Sequence, residues 1–422
     1  MKPASEVTAL ILDTGLFVEF AAKLAQTFKR TIYYVPPDSG LPKVNRSRIG
    51  YGYEGLELVT DLFEVPPSEI DLYCALDVGF GSTQSYLASI GKPVWGCRES
   101  EALEFDRVWT KELMEDEGLP VGKFEVVEGM KALREYLRKH ENVFVKVDRW
   151  RGTCESFHSK DYKFIEPRLD ELEHNLGSLK YIQPFIVEDA LDEPDMVEYG
   201  TDLITMDGIN PKVILSGLEL KDSLYVGRVQ PFANIPEPLT RWNTVMAKYL
   251  KELHCRGPIS NEIRIGKKHL PHMIDATLRL PAPPNELYQE MIKNLAEVVW
   301  AGANGIVVEP EWVAPFGAQA IGFSNWADQN CQIIDFPAKL RKHVKLHNGA
   351  KINGSYVVIP MPFELSEVCA VVAWGDTMDD AIDKCKDICD EVTGFGLSFP
   401  TEKFASATEE IEKLDKIGLG IF

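Results

Sequence analysis

Two short segments late in the chain alternate polar and apolar residues, and they constrain the fold more than any other feature. In Asn261-Glu262-Ile263-Arg264-Ile265, Glu262 and Arg264 share one face and the isoleucines the other. In Ile274-Asp275-Ala276-Thr277-Leu278-Arg279, the face of Asp275, Thr277 and Arg279 lies opposite that of Ile274, Ala276 and Leu278. The connection from Gly266 to His272 is short enough for a hairpin, and a near-symmetric turn puts Glu262 roughly across from Asp275. Adjacent carboxylates repel and usually need a cation. Oxygen ligands of this kind suit Mg²⁺, which is commonly held by one or two carboxylates plus phosphate oxygens. The same pattern also describes a solvated sheet face on which Arg264 and Arg279 balance the acids.

A second anomaly is Lys146, set within the apolar strand Val143-Phe144-Val145-Lys146-Val147. A lysine there must reach an aqueous edge or a buried anion. The polar loop Asp148-Arg149-Trp150-Arg151-Gly152-Thr153 follows directly, so strand and loop together could clamp a phosphate. An edge-strand lysine that snorkels to water is the simpler alternative. No GxxxxGK[ST] occurs, which excludes a P-loop.

The first hundred or so residues alternate strand and helix. Apolar runs at 7–12, 31–35, 70–76 and 93–95 read as strands, with helical spacing at 17–28 and from Gly79-Phe80-Gly81 to Ile90. That rhythm implies a parallel sheet with covering helices. The first turn, Asp13-Thr14-Gly15, is not GxGxxG, so a dinucleotide site is not supported. A charged amphipathic helix is expected over 101–117. Strands at 142–147, 181–186, 199–206, 212–218, 259–265 and 273–278 then read as antiparallel α+β structure. Pro281-Ala282-Pro283-Pro284 marks a break before a helix over 286–301. A last unit has strands at 356–359 and 368–373 and a helix over 378–392, capped by Asp376 or Thr377.

Composition narrows the classes. Across 422 residues the hydrophobic share is 45%, enough for sizeable cores. Lys and Arg number 45 against 65 Asp and Glu, so the formal charge of -20 argues against a protein that coats nucleic acid. A modified base as a small substrate is the one nucleic-acid role left open. Apolar runs stop well short of ~18 residues, so no membrane span is expected. The N-terminal Met1-Lys2-Pro3-Ala4-Ser5-Glu6 shows no signal-peptide pattern, and eight scattered cysteines lack any CxxC, so a cytoplasmic location is expected. Cys385 and Cys389 read as small buried thiols, and His269 and His272 as a hairpin tip. No Ser-His-Asp or Cys-His set stands out.

In order along the chain, these motifs resemble those of the ATP-grasp superfamily, most closely the phosphoribosylamine–glycine ligases, as a divergent, phage-like member. Gly91-Lys92-Pro93-Val94-Trp95-Gly96 is similar to the family's Gly-x-x-Val-x-Gly strand. The stretch 101–120 looks like the helix whose family lysine reaches nucleotide phosphates, with Arg107 in its place. Val143 to Gly152 resembles the strand and loop over the phosphates, which makes Lys146 the phosphate lysine and Arg151 a second contact. Tyr181 to Ile186 resembles the adenine-binding hinge, with Gln183, Phe185 and Ile186 as contacts and Glu188 beside the ribose. Glu198-Tyr199-Gly200-Thr201-Asp202 is similar to the following strand-turn, with Glu198 toward the nucleotide. Lys221 falls where the family has a basic residue near the phosphates. Glu262, Asp275 and Thr277 correspond to the Mg²⁺ ligands, and Arg279 to the arginine closing that strand. Gly375-Asp376-Thr377-Met378 is similar to a C-terminal helix start.

The resemblance implies an ATP-grasp fold of α/β and α+β character. A Rossmann-like N-terminal domain would cover 1–100 and a two-lobed ATP-binding region 101–345, divided at 200. A small α/β domain would cover 346–422. It implies ATP and Mg²⁺ as cofactors, small carboxylate and amine substrates, and a monomer or homodimer. The reaction would form an amide through an acyl phosphate, releasing ADP and phosphate, with Arg279 and Lys221 as catalytic residues. Genuine phosphoribosylamine–glycine ligation and a non-catalytic ATP-binding scaffold are the alternatives. Three departures bear on them. The phosphate loop has a single glycine, Thr277 replaces the family's asparagine, and no Thr-Gly-Gly-Met-Gly segment follows Lys221. Arg107, Lys146, Arg149, Arg151, Lys221 and Arg279 are expected to gather as one basic cleft within an acidic shell.

Overall fold

The computed structural model describes residues 1–36, 46–149, 156–191, 196–220, 223–266, 271–360 and 366–416, with the backbone alone at Asp275. Nearest the N-terminus, short apolar strands form a parallel sheet. Its members are β1 (Thr8–Leu12), β2 (Arg30–Tyr34), β3 (Leu56–Val59), β4 (Leu72–Ala75) and β5 (Val94–Trp95), in the order β3-β2-β1-β4-β5. Leu10, Ile11 and Leu12 are fully buried, as a parallel sheet covered on both faces requires. Helices α1 (Val18–Ala25) and α2 (Gly81–Ser89) follow β1 and β4.

The chain then turns through α3 (Ala102–Phe105) and α4 (Arg107–Asp116). The single helix expected over 101–117 is broken at Asp106, because its carboxylate accepts the Trp109 amide at 3.1 Å and starts a new helix. A four-stranded antiparallel sheet comes next, built of β6 (Phe124–Glu128), β7 (Val143–Val147), β8 (Ser156–Ser159) and β9 (Pro184–Asp189) in the order β6-β9-β7-β8. Helices α5 (Met130–Leu137) and α6 (Tyr162–Leu176) close a separate small core over it. The strand expected from 181 begins only at Pro184, since Tyr181 ends a 3₁₀ turn.

The large sheet has eight strands. They include β10 (Val197–Met206), β11 (Val213–Leu220), β12 (Leu224–Pro231), β13 (Arg256–Ile265), β14 (His272–Thr277) and β15 (Phe316–Phe323). Tyr199 and Leu203 pack toward α7 (Glu237–Glu252), whereas Ile204 and Met206 join a second core with α8 (Asn285–Met291) and α9 (Leu295–Ala303). The helix expected over 286–301 is thus two helices, parted at 292–294. Asn294 sits at the break, donating to the Glu309 carbonyl and accepting the Glu311 amide.

After β16 (Gln332–Asp335), β17 (Val344–Leu346), β18 (Gly349–Ile352) and β19 (Ser355–Val358), the chain returns as β20 (Glu367–Gly375). The full order of the large sheet is β14-β13-β10-β11-β12-β15-β20-β17. Helix α10 (Met378–Glu391), capped by the Thr377 hydroxyl, packs on β20 and β15, and β21 (Thr393–Gly394) joins a small sheet with β16, β19 and β18. Helix α11 (Phe404–Lys416) follows. No helix among the described residues is long and apolar enough to cross a membrane.

Candidate functional site at the junction of the two antiparallel sheets

The alternation in β7 buries Val145 and Val147 on one face, which leaves Lys146 on the other with only 6% of its surface exposed. Its ammonium lies 3.1 Å from a Glu188 carboxylate oxygen and donates to the Ile274 carbonyl at 3.1 Å. Glu188 stands on β9, the strand paired with β7, with Phe144 as its direct partner. The other oxygen of Glu188 meets the ammonium of Lys111 at 2.9 Å. Helix α4 delivers that second lysine, because Arg107, Thr110, Lys111 and Met114 form its buried stripe. Lys111 also reaches the Met273 carbonyl at 3.4 Å. Burial alone would raise the Glu188 pKa, but the charges and hydrogen bonds of Lys146 and Lys111 hold it below the usual carboxylate range.

Both lysines therefore point from the small sheet and α4 to the edge strand of the large one. There, β13 and β14 pair Ser260 with Thr277 and Asn261 with Ala276, but Ile263 with Met273. Glu262 consequently faces a bulge formed by Ile274 and Asp275 rather than Asp275 alone, which corrects the symmetric hairpin. On its other side Glu262 pairs with Gly200, where a Cβ would come 3.1 Å from the Glu262 Cγ. Thr277 and Glu262 lie on one face of the sheet, both partly exposed.

Beyond β14 the chain meets the parallel sheet. Glu104 on α3 accepts the Leu278 amide at 2.7 Å and the Arg279 Nε at 3.0 Å, and Asp77 lies 3.7 Å from that same nitrogen. Asp77 follows β4 and accepts from the Thr14 hydroxyl at 2.5 Å. Nearby, Glu101 accepts the Gly79 amide at 2.8 Å. Its pKa is raised by burial, a push only partly offset by the backbone amides of Gly79, Gly81 and Phe80.

No protein-family model matches this chain, and no curated protein matches it in sequence. Solved structures match over almost its whole length. Phosphoribosylamine–glycine ligase from Thermotoga maritima is 17% identical, with a TM-score of 0.65 over 93% of this chain and 99% of that one. The biotin carboxylase domain dimer of 2-oxoglutarate carboxylase from Hydrogenobacter thermophilus, in complex with MgADP, ADP and bicarbonate, is 9% identical, with a TM-score of 0.64 over 99% of each chain. N5-carboxyaminoimidazole ribonucleotide synthetase from Thermus thermophilus is 13% identical, with a TM-score of 0.59 over 91% of this chain and 98% of that one. This chain has the ATP-grasp fold. At these identities the likeness is one of fold.

Within the ATP-grasp fold the remaining sequence candidates take up the following places. Arg107 is buried at the start of α4, its amide on Asp148 at 2.9 Å and its Nη1 on the Val147 carbonyl at 3.0 Å. Gln183 donates to the Asp148 and Pro184 carbonyls at 2.7 and 3.0 Å. Phe185 and Ile186 are buried in the centre of the small sheet, paired on both sides by β6 and β7. Glu188 lies between two lysines, and Glu198 pairs across the sheet with Arg264, 3.9 Å away. Arg151, Lys221 and the side chain of Asp275 lie outside the described residues. Among the described residues, no three His, Cys, Asp or Glu side chains gather as a metal-binding group.

The expected basic cleft is also corrected. Its four described members lie in a seam of mixed charge: Lys146 with Glu188, Arg149 with Asp106, Arg279 with Glu104, and Arg107 on a carbonyl. Sequence reasoning passed over Lys111. The available signal was its spacing, four residues after Arg107 and three before Met114 on one helical stripe.

Proposed function

We propose that this chain is an ATP-dependent carboxylate–amine ligase that activates a small carboxylate as an acyl phosphate and passes the acyl group to an amine. The observation that carries the reading is the convergence of Lys111 and Lys146 on β14, the strand that also bears Asp275, Thr277 and, just beyond it, Arg279. The fold likeness to a MgADP-bound biotin carboxylase domain and to a phosphoribosylamine–glycine ligase supports it.

In this reading the nucleotide lies between the small sheet and the β13–β14 edge. Lys146, Arg107 and, from outside the described residues, Arg151 and Lys221 offset the phosphate charge. The strand around Gln183, Phe185 and Ile186 takes the adenine, and Glu198 lies toward the nucleotide. Glu188, first read as a ribose contact, is reassigned to the lysines that bracket it. The donor set on β13–β14 fits Mg²⁺. A carboxylate and a hydroxyl are hard oxygen ligands, and Glu262 has room across Gly200. Glu262, Thr277 and Asp275 would hold the ion, whose chemistry is to neutralise charge on the phosphoryl group being transferred.

Arg279 binds the substrate carboxylate. Glu104 engages its Nε, which fixes the plane of the guanidinium and favours two parallel hydrogen bonds from its terminal nitrogens to a carboxylate. The substrate carboxylate attacks the γ-phosphorus, ADP leaves, and the amine then displaces inorganic phosphate. The protein supplies position and charge rather than a nucleophile. Residues 1–100 would cover the substrate side and 101–345 the nucleotide, while 346–422 would add β20 to the large sheet and pack α10 on it.

The test is turnover of Mg-ATP with panels of small carboxylates and amines, following ADP, phosphate and the amide. ADP formed only when both substrates are present, and lost in Asp275→Ala, is the expected result. Tight ATP binding with no turnover on any pair would replace the ligase with a nucleotide-binding scaffold. Turnover only with phosphoribosylamine and glycine would make it a purine-pathway ligase.

A further inference from the structure

We infer that the amine substrate of the proposed ligase carries no phosphate and binds as a cation, because the two helix starts that face it on the parallel-sheet side are each filled by a carboxyl group of this chain. The inference rests on the ligase reading and adds a substrate class to it, with Asp13, Asp77 and Glu101 as the residues that set that class.

The order β3-β2-β1-β4-β5 changes direction between β1 and β4, and ligands of open parallel sheets enter the crevice beyond the strand ends at such a point. The loops that follow β1 and β4 form its two sides, joined where the Thr14 hydroxyl donates to Asp77 at 2.5 Å. Arg279, the proposed anchor of the substrate carboxylate, stands at its edge, with its Nε 3.7 Å from Asp77. An amine that is to meet the activated carboxylate has this crevice as its approach.

A helix start beside such a crevice is a ready place for a phosphate, since its first amides have no partner within the helix. Here neither start is open. At the entry to α1, the fully buried Asp13 accepts the Phe17 amide at 3.0 Å and the Tyr33 hydroxyl at 2.5 Å. Helix α2 has no acidic residue in its own first turn, and Glu101, from the turn before α3, accepts the Gly79 amide at 2.8 Å instead. Glu101 sits so close that a Cβ on Gly81 would fall 2.5 Å from its Oε1. Burial raises the pKa of both acids, Asp13 to about 7, and the charge of Asp77 adds to the rise in each. A further anion would meet the same repulsion, whereas an ammonium group would relieve it. Arg46, donating to the Thr14 carbonyl at 3.1 Å, is the cation on that side through which a phosphate could still be held, so the exclusion is open to test.

The experiment has two arms. In the first, the full chain saturated with Mg-ADP is titrated calorimetrically with glycerol phosphate, a phosphate ester that has no amine. The parent is expected to show no binding at millimolar concentration, and Glu101→Ala, which opens the start of α2, to gain affinity by about tenfold or more. Glu101→Gln, which removes the charge and keeps the size, serves if the alanine variant fails a thermal melt. Micromolar binding by the parent, or no gain in the folded variant, overturns the inference. In the second arm, Mg-ATP turnover is compared for small amines and their phosphate esters, with ethanolamine against phosphoethanolamine and glucosamine against its phosphate among the pairs. The free amine is expected to have the higher kcat/KM by about tenfold, and Asp77→Asn to raise its KM by a similar factor, in the range for loss of one charged hydrogen bond. A phosphate ester that is the better substrate overturns the inference and leaves the ligase standing. If no amine of either kind supports ADP formation, the ligase reading falls and takes the amine with it, while the titration still decides whether the helix starts are closed to phosphate.

Discussion

The same charge pattern, lysine–glutamate–lysine, occurs twice among the described residues with different surroundings. One triad is Lys111–Glu188–Lys146 at the junction of the antiparallel sheets. The other is Lys23–Glu290–Lys345, where α1, α8 and β17 meet, with ion-pair distances of 2.8 and 2.7 Å. In the second, the helical neighbours extend the alternation of charge. Glu19, one turn before Lys23, binds Arg341 at 2.8 Å, and Glu286, one turn before Glu290, binds His347 at 2.9 Å. In the first, the lysines go on to backbone carbonyls of an edge strand. What each ammonium touches next separates a tie between parts of the fold from the triad that lies at the proposed nucleotide site.

The largest effect expected from breaking this comparison is on the tie. Glu290→Gln leaves Lys23 and Lys345 facing a neutral amide, at a cost of about 3–5 kcal/mol, the usual range for removing one partner of a buried pair. Urea unfolding measures it. Folded Glu290→Gln should bind Mg-ADP as the parent does, and a changed affinity would mean that the triads are not separate devices. At the proposed nucleotide site, Glu262→Gln is expected to lower kcat by about 10²-fold, close to 2.7 kcal/mol, with little change in unfolding midpoint. A stability loss with unchanged kcat would make Glu262 a sheet residue only.

The tie should also carry a pH signature. Burial alone would lower the His347 pKa, but the hydrogen bond and charge of Glu286 raise it above its ordinary value of 6.5. Its contribution is complete below 6.5 and is lost as pH rises through the folded-state pKa. For Glu286, burial pushes the pKa up, but His347 and the Gln319 amide hold it below its ordinary 4.5. That contribution is complete above 4.5 and is lost as pH falls. The pair is therefore expected to stabilise most between 4.5 and 6.5 and to weaken on the alkaline side. His347→Gln should flatten that alkaline decline, while an unchanged profile would remove His347 from the account. The smallest effect belongs to the exposed end of the seam. Arg149 is 69% exposed beside Asp106, and Arg149→Ala should cost less than about 1 kcal/mol in thermal unfolding.

How much of this was legible in the sequence follows from the range of each interaction. Lys146 stood out because an apolar strand admits a lysine only beside an anion or an edge, and the anion proved to be Glu188, 42 residues away across one strand pairing. Lys111 did not stand out, since it sits among Glu112, Glu115 and Asp116 on a helix that reads as a solvated face. Only its tertiary partners, Glu188 of β9 and the Met273 carbonyl of β14, distinguish it. The paired carboxylates were seen, but the bulge opposite Glu262 was not, because a register shift depends on what both strands pack against. Neither helix break was expected: the one at Asp106 rests on a local cap, and the one at 292–294 on the distant partners Glu309 and Glu311.

The place of β20 has a consequence for how the protein is made. It lies between β15 and β17, so the large sheet is completed by a strand translated well after its neighbour. While the chain emerges from the ribosome, Phe316–Phe323 waits as an open, largely apolar edge until residue 375 has cleared the tunnel. A ribosome that stalls within that interval holds a nascent chain in which β10 to β15 are made but whose sheet edge invites pairing with another chain. Pauses in translation between those two strands therefore leave an edge open to aggregation.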